Sequence, residues 1–345
     1  MKAIETLLQS WIDEKLLPGA ALRIVREGRT CFSLDVGATS VACGQPITKD
    51  TLFDLASLTK VTATLPAVLL LMQEGKLAAD DRIGAFFADC PADKAEITIG
   101  QLLTHTSGLP ADLEVRSRNS DIDLPGLLYR QPLLYKPGEQ VVYSDLGMIW
   151  LGLLIEKLAE KPLDEFVTQR VFAPLKMERT CFRPSASCFP NIAQTEYCSL
   201  TDAYICGEVH DEKAFAMGGV AGHAGLFSTA DDLCLYAKSW LYADPPLLAK
   251  QWRDQAVRNH TAHANGSRGY GWELNQTGTL LSCGQNFHST SYGHTGFTGT
   301  SIWLDPVREL AVIFLTNAVH LGRNHQLRQL RPILHDAVTT ALQTV

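Results

Sequence analysis

Ser57-Leu58-Thr59-Lys60 sets a hydroxyl and an amine three residues apart, the spacing that brings two side chains to one face of a helix. An alcohol is a poor nucleophile at neutral pH, and a neighbouring amine or tyrosinate can take its proton. At the first turn of a buried helix the hydroxyl would also sit in the positive field of the N-terminus, which favours a developing oxyanion. Taken alone, S-x-x-K equally describes an N-capping serine followed by a solvated lysine. Three further stretches bear on the choice. Tyr143-Ser144-Asp145 directly precedes a helical pattern that begins near Leu146, where Asp145 could also serve simply as the N-cap. His294-Thr295-Gly296 opens a strand-like stretch continued by Phe297-Thr298-Gly299-Thr300-Ser301. His105-Thr106-Ser107-Gly108-Leu109-Pro110 reads by itself as a helix stop and turn.

Other polar clusters are less specific. Gly219, Gly222 and Gly225 follow a G-x-x-G-x-x-G spacing without a P-loop lysine nearby, so a tight loop at the rim of a site is expected rather than a phosphate cradle. His210-Asp211 and His223 could be drawn together as metal ligands. Their spacing matches no standard site, and polar structural roles are expected. His260 and His263, in a polar segment, are expected to face solvent. No metal or organic cofactor is implied.

The elements that must hold these residues read as a mixed architecture. The first twenty residues form an amphipathic helix (Ile4, Leu7, Leu8, Trp11, Ile12) ended by Pro18-Gly19. Ala20–Val25 and Thr30–Val36 are β-rich runs around Arg26-Glu27-Gly28-Arg29, a predicted hairpin. From Ser57 a helical pattern, apolar on nearly every side, runs to Gly75, with Pro66 expected to kink it. Thr98-Ile99-Gly100-Gln101 is a capping box whose helix stops near Gly108, and Ser228 with Asp231 caps another through about Leu241. Leu146–Ala159 and Leu163–Phe172 have helical spacing, whereas Cys181–Gly207 is irregular. Strands return at Thr300–Leu304 and Leu310–Leu315, and Gly322–Gln343 closes the chain as a helix disturbed by Pro332. Strands at both ends with helices between them predict an α/β (α+β) fold, an antiparallel sheet flanked by the terminal helices plus a mainly helical lobe. We expect one catalytic unit over 1–345, its α/β lobe at about 1–75 and 210–345 and its helical lobe at about 76–209, with the active site between them.

Composition removes several classes. With 46% hydrophobic and 19% charged residues the chain is far from disorder. A net charge of −7 gives no basic footprint for nucleic acid or an anionic membrane surface. The longest apolar run, Leu146–Ile155, has ten residues, half of the roughly 20 that span a bilayer. The N-terminal stretch carries Glu5, Asp13 and Glu14 and no apolar run of the length a secretory signal needs. Nine cysteines, an odd count without a C-x-x-C pair, read as free thiols in a reducing compartment. A cytoplasmic protein acting on a small molecule is expected. The oligomeric state is not readable.

Taken together and in order, Ser57–Lys60, Tyr143–Asp145 and His294–Gly296 resemble the S-x-x-K, Y-x-N and K-T-G motifs of the serine β-lactamase and penicillin-binding-protein superfamily. The likeness is to its class C β-lactamase-like branch, which includes D-alanyl-D-alanine carboxypeptidases, D-aminopeptidases and esterases. It runs from about Pro18 to Thr316 and takes in His105–Pro110 and Gly218–Gly225. The resemblance implies a β-lactamase/transpeptidase-like fold and a serine hydrolase. Ser57 would be the acylated nucleophile, Lys60 would tune proton transfer, and Tyr143 would be base toward Ser57 and acid toward the leaving group. The backbone amides of Ser57 and Phe297 would form the oxyanion hole, and Thr295 and Gly296 would lie on the edge strand where substrate docks.

Two positions depart from the pattern. Asp145 stands for an asparagine; when ionised it only accepts hydrogen bonds, and it favours a charged Lys60. His294 stands for a lysine that binds a substrate carboxylate. A histidine there would be mostly neutral above pH 7, would gain charge toward pH 6, and would still donate one hydrogen bond when neutral. Both changes favour an ester-cleaving site over one for penicillins or D-Ala-D-Ala peptides. A β-lactamase or D-alanyl-D-alanine carboxypeptidase is the alternative, and a catalytically silent binding protein of the same fold a second.

Overall fold

The computed structural model describes residues 1–343 apart from 43, 116, 117, 119, 120 and 277–281. Helix α1 (Lys2–Asp13) buries Ile4, Leu8 and Trp11. It ends before Pro18-Gly19, because Lys15 takes a left-handed conformation and the Leu16 amide returns to the Trp11 carbonyl at 2.8 Å. Strands β1 (Gly19–Arg26) and β2 (Arg29–Gly37) form the expected hairpin. The long pattern after Ser57 is divided: a π-helical turn, Lys60–Thr64, precedes helix α2 (Leu65–Gln73). Pro66 has no N–H to offer, and the wider turn upstream frees the Val61 carbonyl, which accepts from the Tyr236 hydroxyl instead.

Helix α3 (Ile99–Leu103) carries the predicted capping box, Thr98 and Gln101 bonding reciprocally, but stops at Leu103. Helix α4 (Asp145–Ala159) starts one residue after its N-cap Ser144, so Asp145 is not a cap and its carboxylate is free to point elsewhere. The Leu163–Phe172 pattern splits into helix Leu163–Val167 and a π-helical turn. Helix α5 (Ala230–Leu241) is capped by Thr229, which accepts from the Asp232 amide, because Ser228 belongs to the preceding strand. Strands β3 (Glu273–Leu274), β4 (Tyr292–Thr295), β5 (Ser301–Asp305) and β6 (Leu310–Thr316) lead to helix α6 (Leu327–Gln343), which runs through Pro332. No helix among the described residues is long and apolar enough to cross a membrane.

The main sheet is antiparallel in the order β2-β1-β6-β5-β4-β3. Register pairs Leu22 with Phe314 and Ile24 with Val312, so β1 and β6 alternate in step. Leu22, Ile24, Val312 and Phe314 face α1 and α6 in one core, while Ala21, Val25, Ile313 and Leu315 join α2, α4 and α5 in a second, larger one. Arg23, buried on the second face, is held by Asp35 at 2.7 Å and Asp231 at 2.6 Å, which ties β1 to the start of α5. A smaller sheet of Phe53–Asp54, Leu226–Ser228 and Cys181–Phe182 lies beside the start of the Ser57 turn.

Candidate active site

Ser57 is placed by the turn that leaves the Phe53–Asp54 strand. Ala56 there adopts φ +46°, outside the usual range for a residue with a Cβ. Buried Asp54 holds the turn by accepting from the Ala56 amide at 2.8 Å and the His210 amide at 2.7 Å. One turn on, the fully buried Lys60 ammonium donates to Ser57 Oγ at 2.8 Å and to the His223 carbonyl at 3.1 Å, and pairs with Asp145 Oδ1 at 2.8 Å. Burial opposes its charge, yet the Asp145 carboxylate and the Tyr143 oxygen together hold the ammonium above its ordinary value. The glycine-rich loop supplies that carbonyl. A Cβ on Gly222 would stand 2.0 Å from the Met148 carbonyl, so only glycine lets the loop press against α4.

The stretch 105–111 is a strap under the Tyr143 segment. His105, at φ +58°, accepts the Ser144 amide on Nδ1 at 3.1 Å and lays its ring 4.6 Å from that of Tyr143. The Pro110 carbonyl accepts from the Ser144 hydroxyl at 2.5 Å, and the Ala111 carbonyl from the Asp145 amide at 2.9 Å. Tyr143 is thereby aimed at Lys60, whose ammonium lies 5.0 Å from its ring centre.

The opposite wall is β4. Its neighbour β3 pairs with Tyr292 and Gly293, and among the described residues no strand pairs with His294 or Thr295 on that edge. Gly296 then passes so close to the Ser57 turn that a Cβ would meet the Leu55 carbonyl at 2.4 Å and Thr300 Oγ1 at 2.1 Å. Among the described residues, neither the Ser57 nor the Phe297 amide donates to a backbone carbonyl. His294 differs from expectation. Its Nδ1 lies 2.8 Å from the Thr295 carbonyl, so the hydrogen sits on Nδ1 and the neutral ring has none left to donate into the cleft. Burial, then the charges of Lys60 and Arg268, holds it well below the usual histidine range, so no charge is gained toward pH 6.

Ser57, Tyr143, Asp145, His294, Thr295, Gly296 and Phe297 line one cavity of about 800 Å³, with Lys60 buried just behind. Sequence reasoning missed three residues around it. Arg268 stands on the cavity wall with its guanidinium 5.4 Å from the Tyr143 ring centre, and it makes no ion pair among the described residues. Arg331 of α6 is buried behind the loop, donating to the Gly296 and Thr300 carbonyls at 2.9 and 3.0 Å. Lys213, also buried, reaches Asp112, Asp211 and Asp145. None has a local pattern to mark it, since each is brought in by a separate element. Of the histidines expected in solvent, His263 is exposed, but His260 is half-buried and stacks on Tyr270 at 4.1 Å.

Asp145, Asp211 and His223 bring metal-ligating atoms within 4.8 Å of one another. The two carboxylates already hold the Lys60 and Lys213 ammonium groups, and His223 Nε2 is spent on Asp211 at 2.8 Å. The donor set is that of a charge network satisfied by the chain's own cations. His210 turns away to Glu196 at 3.1 Å.

A model of the beta-lactamase family matches residues 4–335. The chain belongs to the beta-lactamase family. It is a serine hydrolase of that family, and its mixed sheet-and-helix architecture is the family's fold. A putative D-alanyl-D-alanine carboxypeptidase of Escherichia coli K12 is 34% identical over 363 residues, covering 91% of this chain and 82% of the relative. The corresponding protein of Salmonella enteritidis is 33% identical over 355 residues with the same coverage. Among solved structures, the hydrolase EstCE1, which has promiscuous acyltransferase activity, superposes with TM-score 0.77 at 23% identity over 96% of this chain and 98% of its own. A class C beta-lactamase in complex with cefoxitin gives 0.77 at 19% identity over 100% and 98%. At those identities the two structures speak for the fold.

Proposed function

We propose that the protein is a carboxypeptidase-type serine hydrolase, cleaving an acyl bond next to a substrate carboxylate through an acyl-enzyme at Ser57. Ser57 Oγ attacks the carbonyl carbon while its proton passes to the Tyr143 phenolate oxygen, whose negative charge the Lys60 ammonium stabilises until the proton arrives. The tetrahedral oxygen is received by the Ser57 and Phe297 amides. Tyr143 then returns the proton to the leaving nitrogen or oxygen, the C–N or C–O bond breaks, and the acyl group stays on Ser57. Water gives a proton to the same oxygen and attacks the ester carbonyl; the bond to Ser57 Oγ breaks, the proton passes on to Ser57, and the acyl group leaves as a carboxylic acid. The edge at His294–Thr295 supports an extended substrate docking along β4.

The observation that carries the carboxylate is Arg268: a guanidinium in the cavity with no ion pair among the described residues, beside Tyr143 and neutral His294. It provides the cation that a lysine at 294 would give, and guanidinium matches carboxylate geometry. The names of the E. coli and Salmonella relatives point the same way. An esterase is the second reading, favoured by His294, which gives the cleft neither charge nor donor. All eight described cysteines are free thiols, which supports a reducing, cytoplasmic setting and a peptide substrate present there. The test is kcat/KM for an acyl-D-Ala-D-Ala peptide, its C-terminal methyl ester and a p-nitrophenyl ester. The free-carboxylate peptide should be preferred over its own methyl ester by about tenfold or more. Equal rates, or preference for the blocked peptide, would favour the esterase.

A further inference from the structure

The family pattern places a neutral asparagine where this chain has Asp145, and the consequence is electrostatic. A carboxylate 2.8 Å from the Lys60 ammonium cancels most of the field that Lys60 exerts on Ser57 and Tyr143. Asp145 is not left alone with Lys60, however. Its second oxygen, Oδ2, faces the ammonium of Lys213 at 3.4 Å. Lys213 lies on the short helix Glu212–Ala216, is 3% exposed, and is held by Asp112 at 2.8 Å and Asp211 at 3.1 Å. The Asp211 carboxylate in turn bonds His223, whose carbonyl accepts from Lys60, so the network closes on itself.

We propose that Lys213 is a positioning residue that neutralises Asp145, so that a carboxylate can stand beside Lys60 without cancelling the cation on which proton transfer from Ser57 depends. This rests on the acyl-enzyme reading above. Every charged group that faces the pair belongs to the argument. Lys60, Asp112 and Asp211 bear on Lys213 or Asp145 directly. His223 bears on Asp145 directly and on Lys213 through Asp211, while Tyr143, His105, His294 and Arg268 bear on the Lys60 side of the network. Both Lys213 and Asp145 are shifted toward their charged forms by this company, against the effect of burial. Asp211 holds Lys213 at 3.1 Å and is itself bonded by His223.

The test is the pH dependence of Ser57 labelling by a fluorophosphonate, followed by peptide mass spectrometry. Labelling at Ser57 in the wild type checks the acyl-enzyme reading separately; its absence would remove that reading and leave nothing for Lys213 to tune. In Lys213→Met the acidic limb of the labelling rate should move up by about one pH unit, a loss of about tenfold on that limb that recovers at higher pH. Adding Asp145→Asn to Lys213→Met should bring the limb back to or below the wild-type position. A merely structural lysine would lower the rate equally at every pH, and Asp145→Asn would not rescue it; that pattern overturns the proposal. Lys213→Gln repeats the test with a polar side chain. Asp145→Asn alone, which removes the shared anion, should move the limb to lower pH. A limb that stays in place contradicts the sharing even if neither Lys213 variant folds.

Discussion

Replacing Arg268 with methionine keeps most of the side-chain stem against the Tyr143 ring and removes only the cation. Arg268 is half-buried on the cavity wall, has no carboxylate partner among the described residues, and stands beside a histidine that carries no charge. A substrate carboxylate would therefore meet it without displacing an internal ion pair. One charge-assisted hydrogen bond contributes about 1.5–3 kcal/mol, and the cavity is open enough for solvent to damp a larger Coulomb term. Loss of that bond should lower kcat/KM by roughly 10- to 150-fold for a peptide ending in a free carboxylate. The C-terminal methyl ester of the same peptide should change by less than about threefold, because it never used the charge. Steady-state kinetics on the two substrates, with wild type and Arg268→Met, gives the difference directly. Arg268→Lys should recover part of it, as a point charge without the forked geometry. Equal losses on both substrates would show Arg268 acting through Tyr143 instead, and no loss on either would remove it from substrate recognition.

The remaining predictions test neighbouring parts of the account. Because His294 is held neutral by burial and nearby cations, the ratio of kcat/KM for the carboxylate peptide and its methyl ester should stay flat between pH 7.5 and 6. A ratio rising toward pH 6 would place a titrating His294 in the cleft. Gly296→Ala puts a Cβ 2.4 Å from the Leu55 carbonyl; overpacking of this kind costs about 1–3 kcal/mol, and pushing β4 from Ser57 should slow phosphonate labelling more than about tenfold. Normal labelling would show that the edge does not need its close approach. Glu196, bonded to His210 and Arg323, is drawn down to about 2 from 4.5. Its contribution, about 1–2 kcal/mol after solvent screening, is fully present above its unfolded value and lost as pH falls toward 2. The Tm gap between wild type and Glu196→Gln should therefore be open at pH 6 and narrow steadily from about pH 4.5 toward pH 2; a gap unchanged across that range would contradict the assignment.

What the sequence discloses depends on how locally each feature is encoded. The hairpin of β1 and β2 and the Thr98–Gln101 capping box follow from neighbours in the chain, and both stand as read. Ser57 with Lys60, and Tyr143 with Asp145, are short-range pairs whose spacing is readable locally, whereas the cavity that Ser57, Tyr143 and Asp145 share was expected only from the family resemblance of the three motifs in order. Asp145 as a helix cap was a local reading overruled by distance: Lys60 and Lys213, 85 residues before and 68 after it, hold its carboxylate, and Ser144 takes the boundary. Arg268 and Lys213 are ordinary surface-type residues in sequence and become functional candidates only because separate elements carry them to the cleft. His294 was legible as a departure from lysine. Its tautomer was not, since that is fixed by a contact with the Thr295 carbonyl. His260 likewise looked solvated until Tyr270 closed over it.

The central claim is that one serine among all those in the chain becomes acylated. Incubating the intact protein with a fluorophosphonate at pH 7.5, then mapping the adduct by peptide mass spectrometry, tests it with no assumption about substrate. The account predicts one adduct per chain, on Ser57, formed at a rate that Lys60→Met and Tyr143→Phe each lower by about 100-fold or more. Ser57→Ala should abolish both the adduct and hydrolysis of the acyl-D-Ala-D-Ala peptide. An adduct on another serine, or a Ser57→Ala protein that still turns over substrate, would contradict it.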